Sequence, residues 1–168
     1  MTQIEAFQRE LENEAITTRK MLAAVPNEKL DWAPHPKSMK MRALATHIAE
    51  LPTWIDMVFT TTELDFENNP YEHLHLDSTE EILAFFEKCQ GEGGKSLEEA
   101  KAQGKEETLG DIWTLRSGEI IHSKEPKHDV IRMAMSQIIH HRAQLGVYLR
   151  LLDVPIPGSY GPSADEGF

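Results

Sequence analysis

An all-α fold, a four-helix bundle with long connections, is what this sequence predicts, and three observations carry it. Four apolar stripes recur near the helical period, prolines and glycines fall between them, and long connections separate the second stripe from the third and the third from the fourth. Such a set of elements suits helices packed on helices better than a sheet-based core.

Residues 3–24 place Ile4, Phe7, Leu11, Ala15, Ile16, Met21 and Leu22 among charges, which predicts the first helix. Pro26 ends it, and VPNEKLDWAPHPKS forms a proline-punctuated link from which Trp32 is expected to plug the core. Ser38 is the expected N-cap of a second helix over 39–62, whose stripe runs through Met41, Leu44, Ile48, Leu51, Ile55 and Phe59, with Pro52 as a point of kinking. TTELDFENNPYEHLHLD has turn formers and no helical period, and reads as a loop.

Ser78 followed by Glu81 gives a capping box for the third helix, carried by Ile82, Phe85, Phe86 and Cys89. Glycine costs a helix about 1 kcal/mol relative to alanine. The cluster GEGG at 91–94 therefore predicts an interrupted helix reaching residue 103. GDIWTLRSGEIIH at 110–122 suits a short hairpin or an extended crossover. From Pro126 the pattern runs without a breaker to Pro155, predicting a long, mostly buried fourth helix, and the residues from about 154 to 168 form a loop tail.

With 168 residues the chain suits one domain spanning 1–168. No stretch approaches the roughly 20 apolar residues of a membrane span. The charged opening MTQIEAFQRELENEA does not suit a secretory signal, so a cytoplasmic location is expected, with no membrane partner. The net charge of −11, with basic residues scattered singly, repels phosphate backbones and argues against nucleic-acid binding. Cys89, the only cysteine, forms no intramolecular disulfide and reads as packing.

Three of the eight histidines, His47, His140 and His141, fall inside helical apolar segments. His47 shares the stripe of Leu44, Ile48 and Leu51. His141 shares that of Ala134, Ile138, Leu145, Tyr148 and Leu152, with Gln137 one turn before it. His140 is rotated by about 100° from His141, so His141 is preferred for an interior site. An inward histidine also serves as a hydrogen-bonded core residue, but two on facing helices can hold a divalent metal. Glu50, three residues after His47, is either a carboxylate acting behind that histidine or a solvated side chain. Tyr148 and Arg142 are expected either to line the same cavity or to hold the fourth helix in place. No Gly-rich phosphate loop or nucleophilic triad is present, so catalytic residues stay unassigned.

VPNEKLDWAPHPKSM before the second helix, LATHIAELPTWIDM around His47 and IIHHRAQLGVYLRLLDVPIPGSYGPSADE at the end together resemble the DinB-like (YfiT-like) superfamily of metal-dependent bacterial proteins, over nearly the whole chain. The resemblance implies a four-helix bundle, commonly a homodimer. It also implies a divalent metal, zinc or nickel, bound by one histidine of the second helix and two histidines four residues apart on the fourth. The matching positions are His47, Gln137 and His141, and Gln137 departs from the family pattern by standing where a histidine is usual. Thiol-dependent transferases and isomerases using mycothiol or bacillithiol share the fold. The implied activity is accordingly a metal-dependent hydrolase or a thiol-dependent S-transferase acting on a small molecule. The alternative is a non-catalytic, dimeric stress-response or ligand-binding bundle with a vestigial metal site.

Overall fold

The computed structural model describes residues 1–71 and 74–167, so His73, read above as a loop histidine, lies outside the described residues. The chain is mostly helical, with α1 (Gln3–Ala23), α2 (Met41–Glu50), α3 (Thr53–Thr60), α4 (Thr79–Ala102) and α5 (Lys127–Leu151). The all-α expectation is corrected by a small sheet of β1 (Glu63–Asp65), β2 (Ile112–Ser117) and β3 (Ile120–Pro126), in that order. β1 runs parallel to β2, and β2–β3 is an antiparallel hairpin with an irregular register between Leu115 and Arg116. Of the two options for residues 110–122 the chain takes the hairpin. The stretch read as a plain loop holds β1.

Local chemistry explains the helix boundaries. Thr2 and Glu5 form a reciprocal capping box on α1. On α4 the Ser78 hydroxyl accepts the Glu81 N–H at 3.1 Å, while the Glu81 carboxylate reaches past it to the Asp77 N–H at 2.7 Å. The cap residue of α2 is Lys40, without a side-chain bond, rather than Ser38. The predicted second helix is two helices. Pro52 has no N–H to continue the ladder, and the helix restarts at Thr53, whose hydroxyl donates to the Glu50 carbonyl at 2.8 Å.

α4, by contrast, runs uninterrupted through GEGG. Gly93 accounts for part of that cluster, since a Cβ there would lie 2.5 Å from the Pro52 carbonyl oxygen. Glycine lets the α4 backbone close onto the break between α2 and α3.

α4 and α5 each pack against both α1 and the α2–α3 pair. One core cluster gathers Met21, Leu22, Leu44, Ile48, Phe86 and Leu149. A second gathers Ile4, Phe7, Ile55, Leu97, Trp113 and Ile131. Trp113 ties the sheet to the helices: it is buried and donates from Nε1 to Thr61 Oγ1 at 3.0 Å. Trp32 packs against the first cluster, edge-on to Tyr148 at 5.7 Å between centroids.

The tail lies along α1 and α5. Ile156 packs on the core, Glu166 pairs with Lys20, Asp165 pairs with Arg150, and the Tyr160 hydroxyl meets both Arg142 and Glu14. Among the described residues no helix is long and apolar enough to cross a membrane.

Candidate metal centre

Positions on two helices decide this site. The fully buried residues of α2 include Met41, Leu44, Ala45, Ile48 and Ala49, and the buried ones of α5 include Ala134, Ile138, Arg142 and Leu145. His47 lies about 100° of helical rotation from Ile48 and His141 about 100° from Arg142, and both side chains are half-buried, at the edge of the buried face. On α5 the expected stripe through Ala134, Ile138, His141 and Leu145 is present, with His141 half-buried where Arg142 beside it is buried. The buried Arg142 guanidinium is held by the Glu14 carboxylate at 2.6 Å and the Thr18 hydroxyl at 3.0 Å. Arg142 and Tyr148, which donates to the Met39 carbonyl at 3.2 Å, hold α5 in place rather than line a cavity.

The two edge positions face each other across α2 and α5. The imidazoles of His47 and His141 are 4.8 Å apart between centroids, inclined at 73°. His47 Nδ1 lies 2.6 Å from the Glu50 carboxylate, and His141 Nδ1 lies 2.8 Å from the Gln144 amide oxygen. Both partners are acceptors, so each ring donates from Nδ1 and keeps its lone pair on Nε2. Burial pushes the His141 pKa below its ordinary value of 6.5. The Gln144 bond opposes this, and the neighbouring His47 and His140 add to it, so the neutral ring is favoured. Exposed His140 lies 4.9 Å from His141 between centroids.

Glu50 is not the solvated carboxylate that one reading allowed. Its side chain is 16% exposed, and it accepts a second bond, from the Tyr71 hydroxyl. Burial first, and then this bond to Glu50, push the Tyr71 phenol well above its ordinary range, so it stays protonated and donates. The Gln137 amide nitrogen is turned to the Met133 sulfur. Among the described residues no group of three or more His, Cys, Asp or Glu side chains is arranged to hold an ion. Cys89 is buried and its thiol is pushed up to about 11, chiefly by burial, which disfavours a thiolate ligand or nucleophile.

Beside His47 opens a cleft of about 420 Å³, walled by Trp54, Met57, Phe66 and Tyr71 with Glu50 at its edge. Sequence reasoning missed this wall. Trp54 and Met57 lie within a helix, where they read as ordinary apolar positions. Phe66 and Tyr71 come from the connection after α3, and these two aromatics were the signal that marked that loop as more than a linker.

Comparison with known proteins gives a consistent pattern. The DinB family model matches residues 1–167. The protein YrdA of Bacillus subtilis (strain 168) is 22% identical over 163 residues, covering 97% of this chain and 91% of its own. Among solved structures, a DinB-like protein from Bacillus cereus ATCC 10987 superposes with a TM-score of 0.69 at 22% identity, over 95% of this chain and all of the other. The DinB-like protein YjoA of Bacillus subtilis gives 0.66 at 15% identity over 97% and 99%. A DinB family member from Exiguobacterium sibiricum gives 0.63 at 18% over 91% and 93%. At these identities the structural likeness speaks for the fold.

Proposed function

The chain belongs to the DinB family, and from that premise we propose that it is a divalent-metal-binding protein, with the ion held between α2 and α5 by His47 and His141. One observation carries the reading: two imidazoles from different helices face each other at 4.8 Å, each with Nδ1 committed to an acceptor. A metal-binding histidine typically has its second nitrogen oriented by a carboxylate or amide in this way. In this reading α1, the α2–α3 pair, α4 and α5 are the four positions of a bundle, with the sheet attached at one side.

The donor set fits a divalent ion through two neutral imidazoles, with the Gln137 amide oxygen as the third and weakest candidate, since imidazole binds zinc and nickel better than an amide. When bound, such an ion supplies Lewis acidity that lowers the pKa of a water or thiol in its open position toward neutrality. The chain's own residues hold that site. Glu50 fixes the His47 tautomer, and the Tyr71 hydroxyl holds Glu50. Hydrolysis or S-transfer on a small molecule is the activity these parts serve, with a low-molecular-weight thiol as the co-substrate in the second case. The protein is proposed to work as a homodimer.

Gln137 in place of a histidine favours a second reading, a non-catalytic bundle with a vestigial site. Elemental analysis of tag-free protein separates the two. About one zinc or nickel per chain is expected in the native protein, and His47→Ala and His141→Ala should each lose it by at least about tenfold. Gln137→His should tighten binding, again by about tenfold or more. Equal, negligible metal in the native protein, the alanine variants and Gln137→His would overturn the metal centre.

A further inference from the structure

The cleft beside His47 has a composition that selects its occupant. Trp54, Met57 and Leu64 give one side to the core cluster and still stand part-exposed in the cleft, and Phe66 joins them from the following loop. Among the described residues no Lys or Arg lines it, and the ionisable side chains there are His47, Glu50 and Tyr71.

Most polar groups on the wall are already engaged, and the Asn69 amide nitrogen donates to the Asp65 carbonyl. Glu50 receives His47 and Tyr71, and the Thr53 hydroxyl is spent on the Glu50 carbonyl. In the ion-free protein an anionic ligand would approach the Glu50 carboxylate with no lysine or arginine among the described lining residues to offset it, in a partly desolvated site where that cost is large. A strongly polar ligand would find few free partners. Apolar and aromatic surface has much to gain, from burial against Trp54, Met57 and Phe66 and from ring-on-ring contact. A volume of about 420 Å³ falls in the range of small-molecule sites.

We propose that this cleft binds an uncharged, aromatic or apolar small molecule, seated on Trp54, Met57 and Phe66, with its polar, reacting end toward His47. The inference rests on the metal-centre reading, for which it names the substrate class, but the cleft itself is formed without an ion. In the ion-free protein it disfavours phosphorylated and carboxylate-rich compounds as the molecule held there.

Two dyes built on the same rings test it: neutral N-phenyl-naphthylamine and anionic anilinonaphthalene sulfonate, titrated by fluorescence into chelator-treated protein. One saturable site is expected for the neutral dye, bound about tenfold or more tightly than the sulfonate. Phe66→Ala should weaken it by about tenfold through lost aromatic contact. Met57→Trp, which fills the cleft with a larger side chain, should block it, with circular dichroism checking that both variants are folded. Absence of saturable binding, equal affinity for the two dyes, or indifference to both substitutions in folded protein would overturn the proposal. Dye binding without metal uptake would sink the ion and spare the cleft; metal uptake without dye binding would do the reverse.

Discussion

Asp65 shows how much a single side chain can organise. It is 4% exposed, and its carboxylate accepts the Gly118 N–H at 2.9 Å, the Glu67 N–H at 3.0 Å and the Asn68 amide at 2.6 Å, with Arg116 at 2.9 Å. These donors, the Gly118 N–H foremost, hold its pKa below the ordinary value of 3.8. Because the folded pKa is the lower one, the unfolded chain binds more protons as the medium is acidified. The contribution of Asp65 is therefore complete above the ordinary value and is lost as pH falls through the folded one. Asp65→Asn should lower the melting temperature by several degrees at neutral pH and flatten its fall below about pH 4, followed by calorimetry across a pH series. None of this was legible in the sequence, because the donors come from a loop and from a hairpin turn 53 residues away. His47 and Glu50 were legible because three residues on one helix are neighbours by geometry. The interior place of Arg142 was hidden because charge argues for the surface, and its partners Glu14 and Tyr160 lie at distant points of the chain.

At the scale of elements, the glycines of α4 make a controlled comparison. A methyl group added at Gly91 would meet nothing within 4 Å, whereas at Gly93 it would stand 2.5 Å from the Pro52 carbonyl oxygen. Gly91→Ala should stabilise the protein by about 0.5–1 kcal/mol through helix propensity. Gly93→Ala should cost about 1–3 kcal/mol, because the helix must back away from Pro52. Urea melts of the two variants check both signs. Propensity alone reads GEGG as a weakness, since the sequence does not reveal that another backbone lies against one of its glycines. Periodicity found the stretches that form α1 to α5, reading α2 and α3 as one helix, and Pro52 flagged the break between them. β1 was missed because a three-residue strand carries no pattern of its own, and its partner β2 lies about 50 residues away.

Across the whole molecule, charge contacts of very different weight join α5 to α1 and the tail to α1. Arg142 and Glu14 have side chains 2% and 12% exposed, while Lys20 and Glu166 are 53% and 41% exposed. Removing one member of a buried pair strands the other, so Arg142→Ala should cost about 3–5 kcal/mol in a urea melt. Glu166→Gln removes an exposed, screened partner and should shift the same melt far less. Sequence alone does not choose between a tail lying on the bundle and one hanging free. Its proline and glycine content fixes no path, and only its tertiary partners do.

The packing of α1 has a consequence for the protein's birth. The face carrying Ile4, Phe7 and Leu11 is covered by α4, α5 and the sheet residue Trp113. α4 begins some 56 residues after α1 ends. At a synthesis rate of ~5–20 residues per second, that face waits roughly 3–11 s for its first long helical partner. During that interval the emerging chain displays an uncovered phenylalanine and aliphatic surface. The species most in need of a chaperone is therefore the half-made polypeptide on the ribosome, and the finished protein is spared that exposure by the same packing.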